Sequence, residues 1–321
     1  MEFSVERAFD LLDQSIQLIQ NEERVTYLDG LALALKKFNA GVELTEPSLQ
    51  EMAKMLEETE VTSEQIRKVI QLAIIKGMKG STQQQHMITP DSIALFIGYF
   101  LQKFLNNKEE FRVFDPASGT GNLLTAVINQ VEANGTGYGS EIDPTLIQIA
   151  VESANLQEQQ IEFFHQDSLT PLLLEPVDFV IADLPVGYYP DDTQSLQYQL
   201  RAEEGHSYAH HLFIEQSIKY TKEGGYLLFL IPNFLFTSDQ SEKLQKYLRE
   251  HTHIVSLMQL PLTLFTSEKF AKSLFILQKK GQDTKPPKQA LMAQLPSFKD
   301  VQATDNMLKK IDKWFKNENL E

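Results

Sequence analysis

Residues 115–124 read Asp115-Pro116-Ala117-Ser118-Gly119-Thr120-Gly121-Asn122-Leu123-Leu124, directly after the apolar run Phe111-Arg112-Val113-Phe114. Further on, a second predicted strand, near 137–142, closes on Glu141-Ile142-Asp143-Pro144. A glycine turn leaving a strand, a helix behind it and an acidic residue roughly 20 positions later make the layout of a nucleotide-type cofactor site on a parallel sheet. Gly119 and Gly121 can take backbone angles closed to other residues, and without a Cβ they let main-chain N–H groups approach a ligand closely. Asp115, at the C-terminal end of its strand, can hold an ammonium group or orient the loop, while Glu141 can accept both hydroxyls of a ribose.

A dinucleotide site would want a third small residue at position 124, where the helix packs on the strand and pyrophosphate sits at the helix N-terminus. Position 124 is Leu. A ligand with a ribose, an amino-acid-like tail and no phosphate suits the loop better, and S-adenosyl-L-methionine is such a ligand.

The glycine loop, the Glu-Ile-Asp-Pro segment and the stretch from Gly80 to about Lys280 resemble the catalytic core of adenine-specific DNA methyltransferases, closest to the modification subunit of type I restriction systems. Upstream, Met87-Ile88-Thr89-Pro90 resembles the family's Tyr-Thr-Pro segment over the cofactor, with Ile88 in place of the aromatic. Downstream, His165-Gln166-Asp167-Ser168 resembles the acidic segment that contacts the cofactor's adenine, and Gly224-Gly225-Tyr226 through Ile231-Pro232-Asn233 is similar to the family's strand-and-turn segment. On the glycine loop the resemblance assigns Asp115, Pro116, Ala117, Gly119, Gly121, Asn122 and Leu123 to the cofactor. Glu141, Ile142, Thr89, Asp167, Ser168 and Asp183 complete that set.

The expected catalytic segment follows the apolar run Val177 to Ala182 and reads Asp183-Leu184-Pro185-Val186-Gly187-Tyr188-Tyr189-Pro190. The family pattern is Asn, Asp or Ser, then two prolines and an aromatic. An aromatic amine is a poor nucleophile because its lone pair is delocalised into the ring. A side-chain oxygen and a main-chain carbonyl, each accepting one amine hydrogen, can pyramidalise the nitrogen and aim its lone pair at a methyl sulfonium. Asp183 can supply the first oxygen and the Leu184 carbonyl, ahead of Pro185, the second. Val186 cannot replace the aromatic on which a flipped base would stack, a contact worth roughly 1–3 kcal/mol. Tyr188 or Tyr189 could offer a ring from a shifted position, so Val186, Tyr188 and Tyr189 form the expected substrate contacts.

Two rival readings stand beside adenine methylation in DNA: a methyl acceptor in RNA or protein, or a catalytically inactive cofactor-binding protein with a regulatory or assembly role. No metal is expected. His206, His210 and His211 read as helix-start histidines behind a Ser207 cap, without the cysteine or carboxylate partners a metal site needs. Glu203-Glu204 reads as a solvated face.

Lys and Arg number 29 against 44 Asp and Glu, a formal net charge of −15. Phosphate contacts dominate affinity for DNA and need clustered basic residues, so either a partner supplies them or the acceptor is not DNA. The sequence has no cysteine, no apolar stretch near the ~20 residues of a membrane span, and in Met1-Glu2-Phe3-Ser4 no basic, apolar export signal. A cytoplasmic protein is expected.

The 321 residues suit one large and one small domain. Helical periodicity fills residues 3–78: Phe9, Leu12, Ile16 and Ile19 share a face, and Leu28 to Leu35, Leu49 to Leu56 and Ile66 to Ile74 repeat the pattern. Breaks fall at Asn39-Ala40-Gly41 and at Thr59 to Ser63, where Thr62 or Ser63 can cap the next helix. This predicts a helical N-terminal domain over 1–80, either covering the core or binding a protein partner, and a methyltransferase domain over 81–321. In the second, a helix from Pro90 to Leu105 and strands near 111–115, 137–142, 161–164, 177–182 and 225–231 alternate with helices, which implies a parallel sheet. Ile254 to Leu260 and Ser273 to Leu277 add an antiparallel final hairpin. The predicted fold is α/β, a Rossmann-like seven-stranded class I methyltransferase sheet. Gln282 to Pro287 reads as a linker, and Asn306 to Phe315 as a terminal helix anchored by Trp314.

Overall fold

The computed structural model describes residues 3–40, 44–79 and 88–318. Met1-Glu2, Gly41, Met87 and the expected 80/81 boundary lie outside the described residues. In chain order the elements are α1 (Val5–Glu23), α2 (Tyr27–Asn39), α3 (Pro47–Glu58), α4 (Ser63–Met78), α5 (Asp91–Leu105), β1 (Glu110–Asp115), α6 (Asn122–Gln130), β2 (Asn134–Glu141), α7 (Pro144–Leu156), β3 (Ile161–His165) and β4 (Val177–Asp183). There follow α8 (Asp192–Ser195), α9 (Ala209–Lys219), β5 (Thr221–Pro232), α10 (Ser241–His251), β6 (Thr252–Gln259), β7 (Lys272–Lys279), β8 (Leu291–Gln294) and α11 (Val301–Glu318). The sheet has eight strands, not seven, in the order β3-β2-β1-β4-β5-β7-β6-β8. The additional strand, β8, runs parallel to β6 from Ser256↔Leu291 to Gln259↔Gln294. Four residues with no fully buried side chain carry little periodic signal, which is why no strand is predicted between the Gln282 to Pro287 linker and the terminal helix.

The chain divides into two compact units: residues up to 95 with 118–130 and 137–166, and 96–117 with 131–136 and 167 onwards. In the first unit the local signals place the helices. Thr26 with Asp29 and Thr62 with Gln65 close reciprocal capping boxes on α2 and α4, and Asp143 caps α7 behind Pro144. The buried stripes of α1 to α4, among them Leu12, Ile16, Leu31, Leu35, Met52 and Ile70, form one apolar core that also takes in Ile149 of α7.

In the second unit β1 pairs parallel with β4, and β4 with β5. β7 is antiparallel to both β5 and β6, the expected final hairpin. α9 is buried along nearly its whole length. The terminal helix is longer than predicted and its anchors are Ile311 and Phe315, both fully buried, with Phe315 against Phe100 and Phe104 at 5.7 and 5.2 Å. Trp314 is only half-buried and donates its Nε1–H to the Gln289 carbonyl at 2.7 Å. No helix among the described residues is long and apolar enough to cross a membrane.

Candidate active site

In the second unit β1 ends at Asp115 and β4 at Asp183, on adjacent parallel strands registered as Val113↔Phe179 and Phe114↔Val180. The strand order reverses between them, and in open α/β sheets such a switch point marks the ligand crevice beyond the strand ends. Asp115 is buried, and its Oδ1 accepts the Ala117 N–H at 3.0 Å, which starts the loop's turn. Ser168, expected at the adenine, is buried and donates to the Pro116 carbonyl at 2.5 Å; its side chain braces the loop. Asp167 accepts from the Leu169 N–H at 2.8 Å and from the Tyr189 hydroxyl at 2.6 Å. Burial and then that carboxylate push the Tyr189 phenol above its ordinary range.

The other half of the loop lies in the first unit. Gly119 and Gly121 have φ of 53° and 75°, the left-handed region that disfavours a side chain. A Cβ on Gly121 would also stand 3.1 Å from the Ala150 Cβ, whereas one on Gly119 would meet nothing within 4 Å. Gly121 is thus needed for packing as well as conformation, and the face over Gly119 is open. The Gly119 N–H donates to Glu141 Oε2 at 3.0 Å, and Glu141 Oε1 accepts the Ile142 and Asp143 N–H groups at 2.9 Å each. Main-chain donors therefore fix the carboxylate and fill three of its about four acceptor sites, leaving Oε2 as the oxygen with room for a ligand hydroxyl. Ile142 beside it is 65 % exposed. Asn122 and Leu123 are buried. The Asn122 side chain is bound between Arg67, which donates to its oxygen at 2.7 Å, and the Thr89 carbonyl, which its nitrogen reaches at 3.3 Å.

At the expected catalytic segment Leu184 is buried and donates its N–H to the Leu230 carbonyl at 3.3 Å. Asp183 forms an ion pair with Lys272, the first residue of β7. Nothing in the sequence marks Lys272; it is one lysine among several, 89 positions away. The structure separates the two candidate rings. Tyr189 is buried with its hydroxyl on Asp167, so its ring is not an open stacking face. Tyr188 is exposed and stacks on Tyr208 with centroids 4.9 Å apart and 14° between planes. Val186 and Phe234 are also partly exposed.

Ser207 does not cap α9: its Oγ accepts the Ala202 N–H at 3.0 Å, and Tyr208 stands at the N-cap without a side-chain bond. His210 and His211 are fully buried behind Tyr208, with no partner on any ring nitrogen among the described residues. Burial pushes His210 down to about 4 and, with its neighbour His210, His211 to about 3. Both are neutral in the folded chain and take up protons on unfolding below the ordinary histidine value of about 6.5. Stability should therefore be fully present above about pH 6.5 and fall as the pH drops towards 4. His210→Phe should flatten that fall, checked by urea midpoints near pH 7 and pH 5; an unchanged pH dependence would contradict it.

Strand order, glycine turn and acidic strand ends together define a class I S-adenosylmethionine-dependent methyltransferase fold. The chain belongs to the N-6 DNA methylase family, whose match covers residues 75–320, and residues 6–78 match the YtxK N-terminal helical domain. It is 46 % identical over 319 residues to the uncharacterized protein YtxK of Bacillus subtilis, covering 97 % of each chain. It is 41 % identical to a candidate class I S-adenosylmethionine-dependent methyltransferase of Listeria monocytogenes, with a TM-score of 0.89 over 97 % of this chain and 98 % of that one. At 16 % identity, the type I restriction-modification methyltransferase subunit of Streptococcus thermophilus shares the fold, with a TM-score of 0.63 over 95 % of this chain and 74 % of that one.

Proposed function

We propose that this protein transfers a methyl group from S-adenosylmethionine to the N6 amine of adenine in DNA. The observation that carries the reading is Asp183, followed by Leu184 and Pro185, at the end of β4 beside the switch point. The bound cofactor supplies an electrophilic methyl group on a sulfonium. The residues of each unit suit it: in the second, the Asp115 and Asp167 carboxylates suit an ammonium group and an adenine amine; in the first, Glu141 suits a ribose hydroxyl and fully buried Leu124 suits a helix packed without pyrophosphate. Thr89, Pro116, Ala117, Gly119, Gly121 and Ile142 are assigned to the cofactor with them, and Asn122, Leu123 and Ser168, all buried, shape the turns that hold it. Asp183 and the Leu184 carbonyl accept the two amine hydrogens, and Tyr188, in place of Val186, offers the acceptor its stacking face.

Residues 1–80 act as a helical domain and 81–321 as the methyltransferase domain, a division that the two family matches support. With a net charge of −15, phosphate contacts come from a protein partner, and the protein works in the cytoplasm. The Lys272 ion pair on Asp183 favours one second reading, in which cofactor is bound without transfer and the protein serves regulation or assembly.

Calorimetry tests the cofactor half: S-adenosylmethionine or its demethylated product should bind and NAD should not. Glu141→Ala should weaken binding by roughly 1–3 kcal/mol, the cost of leaving ligand hydroxyls unpaired. Tight NAD binding without any response to S-adenosylmethionine would refute the reading.

A further inference from the structure

Arg67 lies on the buried stripe of α4 and is 3 % exposed. A guanidinium stays charged, so burying it is costly unless its donors are met. Glu64 takes Nε and Nη2 at 2.7 Å each, and Asp91 takes Nη1 at 3.0 Å. Those two carboxylates already compensate the charge. Nη1 nevertheless also donates to Asn122 Oδ1 at 2.7 Å, a neutral amide on the first residue of α6, directly behind Gly121. With its nitrogen on the Thr89 carbonyl at 3.3 Å, that amide is held at both ends.

A second bond of the same kind comes from α2. Asp29 uses Oδ2 to close its own capping box with Thr26, and its Oδ1 accepts the Thr145 hydroxyl at 2.6 Å. Thr145 stands in the first turn of α7, where its N–H donates to Asp143 at 2.9 Å, while the Asp143 N–H donates to Glu141 at 2.9 Å. The Gly119 N–H then joins Glu141 to the glycine turn at 3.0 Å. Each of two N-terminal helices thus grips the start of the helix behind one cofactor turn, and the turns grip each other.

We infer that Arg67 and Asp29 are positioning residues through which the N-terminal helices preset the two turns for S-adenosylmethionine. The inference rests on the function proposed above, because it takes that cofactor to be what the turns hold. A turn fixed before the ligand arrives spends less binding free energy on ordering. Loosening either grip therefore weakens the cofactor without touching it.

The test is calorimetric titration of the full chain with S-adenosylmethionine at 25 °C for the wild type, Arg67→Met, Asn122→Ala and the double variant, with thermal unfolding measured in parallel. Each single variant should bind about tenfold more weakly, the scale of losing a hydrogen bond to a charged group. The double variant should be no weaker than the weaker single, because both break one link. A purely structural role predicts a lower Tm with unchanged affinity, or losses that simply multiply, and either result overturns the inference. If Arg67→Met does not fold, Thr145→Val, which keeps the main-chain cap on Asp143, decides alone: unchanged affinity overturns the proposal and about threefold or more of weakening supports it. A wild type that binds no S-adenosylmethionine overturns the proposed function and this inference together. A wild type that binds beside variants that bind equally overturns this inference only.

Discussion

Asp183→Ala should cut methyl transfer from labelled S-adenosylmethionine by on the order of a hundredfold or more while cofactor binding stays near the wild-type value. In the proposed mechanism the carboxylate acts when the amine nitrogen pyramidalises and gains positive charge, so its loss should be felt in the transition state rather than in cofactor affinity. The Asp183–Lys272 pair keeps part of its surface in water, where an ion pair contributes little to stability, so the variant should remain folded. Asp183→Asn keeps an acceptor oxygen and should retain more activity than Ala. The measurement is incorporation of label into unmethylated DNA, RNA and cell extract. Label in DNA adenine supports the proposed acceptor, and label in RNA or protein redirects it. If the wild type labels nothing even in extract, the non-catalytic reading is the better account.

Removing residues 1–78 should leave an insoluble or aggregating chain. The deletion strips the apolar cover from Ile149 and Leu156 of α7 and from Ile88, and removes Arg67 from Asn122 and Asp91. Exposing each large aliphatic side chain costs roughly 1.5–3 kcal/mol, against a whole-domain stability of about 5–15 kcal/mol. Size-exclusion chromatography and circular dichroism of the truncated chain decide the matter. A soluble monomer with a cooperative unfolding transition would show that these helices are separable and would favour a pure partner-binding role.

The features legible in the sequence are the local ones. The Asp115–Leu124 turn, the Glu141 strand end, the Thr62 cap and the apolar runs of β1 and of β4 to β7 are written in consecutive residues with helix or strand period. Lys272 on Asp183 and Arg67 on Asn122 join positions 89 and 55 residues apart, and a charged residue shows no periodicity that announces such a partner. Tyr188 and Tyr189 are adjacent and chemically alike. Only the antiparallel bridge Tyr188↔Tyr208 decides which ring faces outward. Ser207 met every local criterion for a cap, yet its hydroxyl oxygen accepts the Ala202 N–H, because turn donors compete for the same hydroxyl.

Strand β8 bears on how the folded chain behaves when crowded. Without it, β6 would end the sheet with eight residues of hydrogen-bonding backbone open on one side, among them fully buried Ser256 and Met258. Such a rim invites a neighbouring molecule to add a strand, the route to edge-to-edge aggregation. β8 covers the half of that rim from Ser256 to Gln259, and the outermost rung there is only four residues long, with alternate positions, Met292 and Gln294, facing water. That is too little ladder for a stranger to climb, so a four-residue segment guards a methyltransferase sheet against its own copies.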